Sequence, residues 1–394
     1  MVKNPDSPSI AGSSARATSF DWVDEAFMTR ALELAWQAAG RTNPNPVVGA
    51  VVVRDGSVVG EGYHHRCGDA HAEVEALTQA ADRARDATMY VTLEPCAHHG
   101  RTPPCAERLV DTGVKRVVIP ALDPDHNVRG RGVSALRAAG IRVDIGCCET
   151  AAIATNVGYY KHRLGLGPTV ILKMALTMDG RIAAGPGRRD KITGDAAHRY
   201  VHRLRSNSDG IVVGLDTVRT DDPVLDCRLA DCGVQPLPVV LDGDFQLPAD
   251  NRWARENRPY IVVGSETGAY GDVVAAEHRA GGGQVLRCAA DGSGRVDVDD
   301  AVGKLSEIGL NRLLVEGGAH VFTSFIRAGR WDAMFLFHSP KAFGKRGIPV
   351  YASDEGLTPD TVPVDAVRLE HDFLHRYLNK HTREEIISGL SSMD

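Results

Sequence analysis

The fold of the first half of the chain is decided by the stretch Gly68-Asp69-Ala70-His71-Ala72-Glu73-Val74 and by the later turns Glu94-Pro95-Cys96 and Pro103-Pro104-Cys105. Zinc takes nitrogen and thiolate ligands in a tetrahedron, and a catalytic zinc keeps one position for water. His71, Cys96 and Cys105 would supply three such ligands, and the metal would lower the pKa of bound water from about 15.7 towards about 7. Glu73 is not a ligand in this arrangement, and we predict that it moves protons as a general acid–base group.

A His-x-Glu pair followed by Pro-Cys and a second cysteine is typical of zinc deaminases that act on nucleobases and related rings. The alternative interpretation is structural, because buried histidines and free cysteines are common in protein cores. Eight residues separate Cys96 from Cys105, where most such deaminases have two, and His98 and His99 in this insert are further candidate ligands. We predict Cys105 as the third ligand because Pro103-Pro104 can start a helix with Cys105 in its first turn.

The insert and two neighbouring segments closely resemble the deaminase half of the bifunctional riboflavin-biosynthesis deaminase-reductase family. The segments are Asn43-Pro-Asn-Pro-Val-Val-Gly49, Gly62-Tyr-His-His-Arg-Cys-Gly68 and Glu94-Pro-Cys-Ala-His-His-Gly-Arg-Thr-Pro-Pro-Cys105. The resemblance covers nearly the whole chain after about residue 22. It implies that Asn45 and His64 contact the substrate of the deaminase half.

Composition and charge narrow the possible function classes. Of the 394 residues, 43% are hydrophobic and 24% are charged, which is typical of a globular protein. The net charge of -6 argues against nucleic acid as a partner, because such binding surfaces are normally basic. No apolar run approaches the roughly 20 residues that span a bilayer, so we expect no membrane partner. Residues 1–19 lack the apolar core of a signal peptide, and we expect a cytoplasmic protein whose eight cysteines are free thiols or metal ligands.

The order of predicted elements indicates two α/β domains in succession. In the first, an Asp-Gly hairpin and alternating strands and helices up to Ile145 indicate a cytidine-deaminase-like three-layer domain with a largely parallel sheet. One helix over about 150–162 and the sequence Gly165-Leu-Gly-Pro168 mark a connection, after which the alternation restarts at Val170. Residues 380–394 fit either a frayed tail or a closing helix. The predicted divisions are a disordered tail over 1–22, a deaminase domain over 23–149, a connection over 150–168 and a second domain over 169–394.

Three stretches of the second half carry candidate chemistry: Lys173-Met-Ala-Leu-Thr-Met-Asp-Gly-Arg-Ile-Ala183, Gly214-Leu-Asp-Thr-Val-Arg-Thr-Asp-Asp-Pro223 and Val315-Glu-Gly-Gly318. In the last stretch, the two glycines allow the backbone to approach a ligand closely, and the helix that follows could bind a phosphate at its N-terminus. The alternative is an ordinary connection between a strand and a helix, in which glycines are common. A Gly-x-Gly-x-x-Gly fingerprint is absent. Together the three stretches resemble the reductase half of the same family, which implies a dihydrofolate-reductase-like α/β fold and NADPH as cofactor.

The resemblance also implies site residues in the second half. The implied substrate-binding residues are Lys173, Arg205, Leu225, Arg228 and Glu316. The implied cofactor-binding residues are Leu176, Lys191, Thr217, Asp221, Gly318, Ala319, His320, Val321, Phe322, Thr323 and Ser324. Arg205 and Arg228 suit a substrate phosphate, since guanidinium binds phosphate bidentately, and a structural ion pair or a solvated helix face is the alternative.

The chain departs from the family pattern at Arg189-Asp190-Lys191-Ile192-Thr193, where the family has Ser-x-Trp-Ile-Thr. Arginine or lysine near the ribose is the usual way to accept the 2'-phosphate of NADPH, so we predict that Lys191 binds it. The alternative is a solvated turn, which is the usual role of a charge run.

The sequence and the resemblance together predict a bifunctional enzyme of riboflavin biosynthesis that holds Zn²⁺ and uses NADPH. The first half would deaminate a phosphorylated ribosylamino-diaminopyrimidinone, and the second half would reduce the ribosyl group to ribityl. We expect a homo-oligomer whose partner is this small phosphorylated pyrimidine. The alternatives are a relative that acts on a modified pyrimidine in a specialised pathway, a deaminase with an inactive reductase half, and a nucleic-acid deaminase, which the acidic charge disfavours.

Overall fold

The computed structural model describes residues 20–97, 104–230, 232–268, 271–352 and 356–391. The predicted tail falls outside this set up to residue 19, and so do His98, His99 and Pro103. Among the described residues, no helix combines the length and the apolar character that crossing a bilayer requires.

The first half is built on a five-stranded sheet with strand order β2-β1-β3-β4-β5. Its helices and strands are α1 (Trp22–Trp36), β1 (Gly49–Arg54), β2 (Ser57–Tyr63), α2 (Ala72–Ala80), a 3-10 helix (Ala81–Ala84), β3 (Thr88–Val91), α3 (Cys105–Thr112), β4 (Arg116–Ile119), α4 (Arg131–Ala138) and β5 (Arg142–Ile145).

This sheet is mixed rather than largely parallel, so the prediction of a largely parallel sheet was wrong. The predicted Asp-Gly turn is present, with Asp55 at φ 51° and Gly56 at φ 73°, and it folds β2 directly back on β1. β1 also pairs antiparallel with β3, and only β3, β4 and β5 run parallel. A two-residue hairpin requires antiparallel strands, whereas the parallel pairs are joined through α3 and α4.

Helices cover both faces of this sheet, which confirms the predicted three-layer domain. Alternate residues of a strand point to opposite faces. On β1, Ala50 and Val52 join the core formed with α2, α3 and α4, whereas Val51 and Val53 join the core formed with α1. The carboxyl ends of β3 and β4 therefore lie between the helix layers, where the first site is found.

The connection between the halves consists of two helices, α5 (Glu149–Thr155) and α6 (Val157–Leu164), rather than the one helix predicted. Asn156 separates the two helices, because its backbone is not helical, with φ -118° and ψ 26°. Side chains of α5 and α6, among them Ile153 and Tyr160, share one apolar core with residues of both halves, such as Leu93 and Phe335. The connection is thus packed as an interior element, while the exact domain boundaries stay a prediction.

The second half contains a nine-stranded sheet with strand order β11-β10-β9-β8-β12-β6-β13-β16-β15 and a separate two-stranded ribbon, β14-β7. Its elements are β6 (Thr169–Thr177), β7 (Arg181–Ala183), α7 (Asp195–Ser206), β8 (Gly210–Gly214), α8 (Leu215–Asp221), β9 (Leu237–Leu241), α9 (Arg252–Arg255), β10 (Tyr260–Ser265), α10 (Gly271–Ala280), β11 (Gly283–Cys288), α11 (Val298–Glu307), β12 (Arg312–Val315), α12 (Ala319–Arg327), β13 (Ala333–Ser339), a 3-10 helix (Gly344–Arg346), β14 (Ile348–Pro349), β15 (Thr361–Leu369), β16 (Asp372–Asn379) and α13 (Lys380–Ser391).

Seven strands of the large sheet, from β11 to β13, are parallel, and β16 and β15 add an antiparallel edge. β15 and β16 were not predicted from the sequence, and they are joined at Glu370, which has a left-handed conformation with φ 59°. Residues 380–391 form the closing helix α13, which packs against α6. Because β6, β8 and β12 are parallel neighbours, their carboxyl ends open at the same edge of the sheet.

A buried ion pair ties the connection to the second sheet and to α13. Lys161 Nζ donates to Asp332 Oδ1 at 2.6 Å and to the Pro168 carbonyl at 2.9 Å. The Asp332 carboxylate also accepts from Val170 N at 2.8 Å and from Thr382 Oγ1 at 2.8 Å. Each side chain of the pair is only 5% exposed.

Replacing Lys161 with methionine leaves the Asp332 carboxylate buried without its counter-ion, which typically costs about 3–5 kcal/mol. We therefore expect Lys161→Met to lower the urea midpoint of the full chain clearly at neutral pH. The matched control is Lys380→Met, which removes an exposed pair with Asp360 and should change stability by at most about 1 kcal/mol. Equal, small losses in both variants would contradict the structural role of the buried pair.

Candidate active sites

The first site lies where α2 and α3 begin, beyond the carboxyl end of β3. His71 is the N-cap residue of α2, Cys105 is the first residue of α3, and Cys96 stands in the turn that follows β3. His71 Nδ1 lies 3.3 Å from Cys105 Sγ and 3.7 Å from Cys96 Sγ, and the three donor atoms lie within 4.8 Å of one another. The structure therefore brings together the three predicted ligands.

The donor set fits zinc in chemistry and spacing. With zinc–nitrogen and zinc–sulfur bonds of about 2.0 and 2.3 Å, a tetrahedral angle separates the two donors by about 3.5 Å, close to the two distances here. The hydrogen bond with Cys105 lowers the pKa of Cys96 to about 4, and the same bond raises that of Cys105. His98 and His99 lie outside the described residues, so the preference for Cys105 over them stays a prediction.

Glu73 is buried in the first turn of α2, two residues after His71, and is 4% exposed. Burial raises the pKa of its carboxyl group, against the opposing influence of His71. A carboxyl group held beside the donor cluster and away from bulk water has the surroundings of an acid–base group rather than of a solvated helix face.

Asn45 and His64 form the rim of the same site. The His64 ring stands edge-on to the His71 ring, with centroids 5.5 Å apart. His64 Nδ1 lies 3.1 Å from the Ala70 carbonyl, which can only accept, so Nδ1 carries the hydrogen. Its Nε2 then accepts from Asn45 Nδ2 at 3.3 Å, and burial, which lowers the pKa of His64, favours this neutral form.

Glu94, to which the sequence analysis assigned no role, fixes the turn that carries Cys96. Its carboxylate accepts from the backbone N–H groups of Asp123 at 3.1 Å, Gly130 at 2.9 Å and Val133 at 3.1 Å. It therefore ties the end of β3 to the start of α4. The position of Glu94 directly after an apolar strand was the sequence signal that could have indicated this role. A carboxylate buried there needs hydrogen-bond donors, which the surrounding fold must supply.

The second site is a cleft of 1420 Å³ at the carboxyl ends of β6, β8 and β12. Most of the predicted substrate and cofactor residues line it: Lys173, Lys191, Arg205, Thr217, Asp221, Leu225, Arg228, Glu316, Gly318, Ala319, His320, Val321 and Ser324. Three predicted cofactor residues lie behind its wall. Leu176 and Phe322 belong to the apolar core, and Thr323 Oγ1 accepts from Ala352 N at 2.9 Å.

A buried carboxylate between two cations forms the floor of the cleft. Arg205 donates to Glu316 through Nε at 2.7 Å and through Nη2 at 3.0 Å, and Lys173 Nζ lies 3.6 Å from the same carboxylate. Burial alone would raise the pKa of Glu316, but the charges of Arg205 and Lys173 outweigh it and lower that pKa to about 2. Burial also lowers the pKa of Lys173, against the attraction of Glu316.

The remaining guanidinium nitrogen of Arg205, Nη1, also has a partner, because it donates to the Asp226 carbonyl at 3.0 Å. These contacts favour the alternative interpretation of Arg205, a structural ion pair, while its binding of a substrate phosphate stays a prediction. Arg228 Nε donates to Asp226 Oδ1 at 3.0 Å, but the side chain of Arg228 is 61% exposed at the cleft. Arg228 is therefore better placed than Arg205 to bind an anionic ligand.

The loop with Leu225 is held in a strained conformation by a residue that the sequence analysis missed. Leu225 is buried at φ 49°, a left-handed conformation that is rare for a branched side chain. Arg258 donates to the carbonyls of Val224, Leu225 and Pro236, the last two at 2.6 and 2.8 Å. Backbone strain of this kind persists only where the surroundings enforce it, and it is common at ligand sites.

The cation-rich loop over 185–191 borders the cleft. Lys191 Nζ donates to Asp195 Oδ1 at 2.7 Å and Arg188 to Asp190 Oδ1 at 3.2 Å, while Arg189 Nη1 lies 3.5 Å from the Asp221 carbonyl. The side chain of Lys191 is 59% exposed. The loop thus fits both the predicted role in binding the 2'-phosphate and the alternative of a solvated turn, since it is exposed to solvent and also faces the cleft.

The cleft has the size and the backbone for a dinucleotide. Its volume exceeds the roughly 300–1,000 Å³ of a typical small-molecule site, which leaves room for a cofactor beside a substrate. Gly318 directly precedes α12, and Thr217 Oγ1 of α8 lies 3.6 Å from where a Cβ of residue 318 would stand. The start of α12 then offers free backbone N–H groups to a phosphate.

Two family models match the chain. The model described as the cytidine and deoxycytidylate deaminase zinc-binding region matches residues 22–121, and the RibD C-terminal domain matches residues 168–374. The chain is 39% identical over 324 residues to riboflavin biosynthesis protein RibD of Aquifex aeolicus (strain VF5), covering 82% of this chain and 88% of that protein. It is 36% identical over 325 residues to RibD of Escherichia coli (strain K12), covering 82% and 89%.

Solved structures agree with these sequence matches. The chain resembles a diaminohydroxyphosphoribosylaminopyrimidine deaminase/5-amino-6-(5-phosphoribosylamino)uracil reductase from Thermotoga maritima, with a TM-score of 0.63, 36% identity and coverage of 91% of this chain and 99% of that chain. Acinetobacter baumannii RibD, form 1, gives a TM-score of 0.61 at 35% identity, covering 90% and 98%. These matches confirm the predicted fold of both halves and the predicted cofactors, Zn²⁺ and NADPH.

Glu94→Gln should weaken zinc binding, because an amide cannot accept all three backbone N–H bonds and the Cys96 turn loosens. Loss of an outer partner of a ligand typically costs about 10–100-fold in metal affinity, and we expect about 10-fold here. Competition with a chelator of known affinity measures the change on the full chain. Asp111→Asn, an exposed carboxylate at the end of α3, serves as control, and unchanged affinity in Glu94→Gln would contradict the role of Glu94.

Proposed function

Because the chain belongs to the RibD family of riboflavin biosynthesis proteins, we propose that its first half deaminates a phosphoribosylated diaminopyrimidine and that its second half reduces the ribosyl group of the product to ribityl. The observation that carries this proposal is the presence, in one chain, of a partly buried His-Cys-Cys cluster beside the buried Glu73 and a separate large cleft with a partly buried Lys173–Glu316–Arg205 group.

In the first half, His71, Cys96 and Cys105 would hold the zinc ion. When bound, zinc supplies a nucleophile at neutral pH by lowering the pKa of water. Glu73 would carry the two protons of the attacking water in turn, the first to a ring nitrogen and the second to the leaving amino group. The ring carbon gains an oxygen and loses ammonia, so the diaminopyrimidine becomes an aminouracil.

Asn45 and His64 orient the ring in this scheme. The neutral tautomer of His64 directs a bare Nε2 to Asn45, which fixes the carboxamide so that its oxygen can accept from an amino group of the substrate. Their place at the rim, with His64 beside His71, supports this role.

In the second half, Thr217, Asp221 and the run from Gly318 to Ser324 would hold NADPH, which would supply a hydride to the anomeric carbon of the substrate. Lys173 would give a proton to the ribose ring oxygen as the bond from that oxygen to the anomeric carbon breaks. The burial that lowers the pKa of Lys173 makes it a better proton donor. Glu316 keeps the ammonium in place, Arg205 orients Glu316, and Arg228 binds the phosphate.

The alternative functions are not favoured, since the relatives span both halves and the cleft retains the charged floor of a working site. The partner is a small-molecule substrate, for which we propose a phosphorylated pyrimidine rather than a nucleic acid. Assembly as a homo-oligomer and a cytoplasmic location stay predictions of the sequence analysis.

Glu73→Gln separates the two activities. We expect it to retain zinc, to slow deamination by about 10²–10⁴-fold, and to leave reduction of the deaminated substrate unchanged, because the amide keeps the shape but cannot carry the proton. Ammonia release and NADPH oxidation are measured on the same preparation. Glu75→Gln, two residues further along α2, is the matched control and should deaminate almost normally; near-normal deamination by Glu73→Gln would remove Glu73 from the mechanism.

Lys191→Ala tests the cation-rich loop. If Lys191 binds the 2'-phosphate, its removal raises KM for NADPH but hardly for NADH, with little change in kcat. Because Asp195 already neutralises part of its charge, we expect about a 10-fold effect, the lower end of what one charge-assisted hydrogen bond contributes. Lys345→Ala, exposed and away from the cleft lining, is the control. Equal effects on both cofactors, or none, would favour the solvated turn.

A further inference from the structure

The loop between α1 and β1 carries Asn45 to the rim of the zinc site. Two contacts between Thr42 and Asn45 close it into a tight turn, since Asn45 N donates to the Thr42 carbonyl at 2.8 Å and Thr42 Oγ1 donates to the Asn45 carbonyl at 3.0 Å. The turn is rigid within itself, so the place of Asn45 depends on what holds the loop at its ends.

Asn156 of the connection holds the downstream end. Its side chain accepts from Val47 N at 2.9 Å and donates to the Val47 carbonyl at 2.9 Å, as a neighbouring strand would. Both residues are 6% exposed, so these two backbone groups have no access to bulk water as replacement partners.

The second half of the chain holds the upstream side. Arg203 Nη1 donates to the carbonyls of Trp36 at 3.3 Å and Gln37 at 3.1 Å, where α1 ends. Gly40 has φ 82° and lies so close to the end of α7 that a Cβ on this residue would be 2.0 Å from Ser206 Oγ. Only glycine suits both the conformation and the approach.

Arg312 reaches the tip of the loop from the same side. Its Nη1 donates to Asn43 Oδ1, two residues before Asn45. The guanidinium is oriented by Asp209, which accepts from Nη2 at 2.6 Å and from Nε at 3.3 Å. An arginine fixed in this way is a preorganised donor, since its planar fork loses little freedom when it binds.

Arg312 lies at the opposite end of its strand from the reductase cleft. It begins β12, whereas Glu316 and Gly318 follow the carboxyl end of that strand. At about 3.3 Å per residue, Arg312 and Glu316 are roughly 13 Å apart along the chain. Neither Arg312 nor Asp209 lines the described part of the cleft, so a change at Arg312 spares the reductase chemistry.

We propose that Arg312, a residue of the reductase half, is a positioning residue for deamination. Through Asn43 it holds the loop that presents Asn45 to the substrate, so the deaminase site is complete only when the second half is packed against it. The inference rests on the proposed deaminase function and deepens it.

The test is Arg312→Ala in the full chain, with both activities measured. Loss of one charge-assisted hydrogen bond that holds the loop should raise KM for deamination about 10-fold, with a much smaller change in kcat. Zinc content and reduction of the deaminated substrate should equal those of the wild type. Arg330→Ala is the matched control, because Arg330 is ion-paired with Asp299 in the same half and is 33% exposed, against 30% for Arg312.

Asn43→Ala removes the other partner from an exposed loop, so it keeps the test valid if Arg312→Ala folds poorly. It should reproduce the rise in KM, and the double variant should be no worse than Asn43→Ala alone, because Asn43→Ala already removes the contact with Arg312 along with a longer one to Asn207 Oδ1 at 3.5 Å. Wild-type KM in both single variants, additive effects, or a parallel loss of both activities would overturn the proposal. Absence of deamination in the wild type would instead overturn the proposed function.

Discussion

The structure of the first half depends on bringing three donor atoms from separate segments to within 4.8 Å of one another. A histidine at the start of α2 and a cysteine at the start of α3 meet only if both helices begin at the same edge of the sheet. The sheet supplies this edge because β3 ends there and turns through Cys96. Glu94 then locks the turn with three backbone bonds, so a single carboxylate links the strand that delivers one ligand to the helix packed beside it.

The second site depends on charge balance instead of ligand geometry. Taking an ion out of water costs several kcal/mol, and a buried carboxylate persists only with compensating partners. Glu316 has two, and the floor of the cleft keeps one surplus positive charge from the Lys173–Glu316–Arg205 group. Such a surplus suits a phosphorylated substrate and a polyanionic cofactor, and it orients the lysine that we propose as proton donor.

The two sites belong to halves that are less separate than their motifs indicate. An apolar core runs from the first half through α5 and α6 into the second sheet, and α13 closes over α6. Asn156, Arg203 and Arg312 reach from this packed region to one loop of the deaminase site. A linker of ordinary loop composition would leave the two halves free to move. The packed pair of helices instead fixes them against each other, so that each half supports the structure of the other.

What the sequence by itself determined was the chemistry of local patterns. The ligand residues, the Asp-Gly hairpin at Asp55, the alternation of strands and helices in both halves and the two cofactors follow from residue types and spacings that are complete within a short stretch or a recognised family motif. The mixed direction of the first sheet, the break at Asn156 and the polar edge hairpin of β15 and β16 were not predicted, because strand direction and edge position depend on distant partners.

The tertiary structure alone decided how charged and polar side chains are used. Arg205 and Arg228 carry the same group and sit near each other in the cleft lining, yet one is committed to Glu316 and the Asp226 carbonyl, and the other is exposed. Glu94, Arg258 and Arg312 act on backbone or loop groups that lie far from them in sequence. A single hydrogen-bonding side chain has no periodicity or spacing, so its partner is fixed only when packing brings the two groups together.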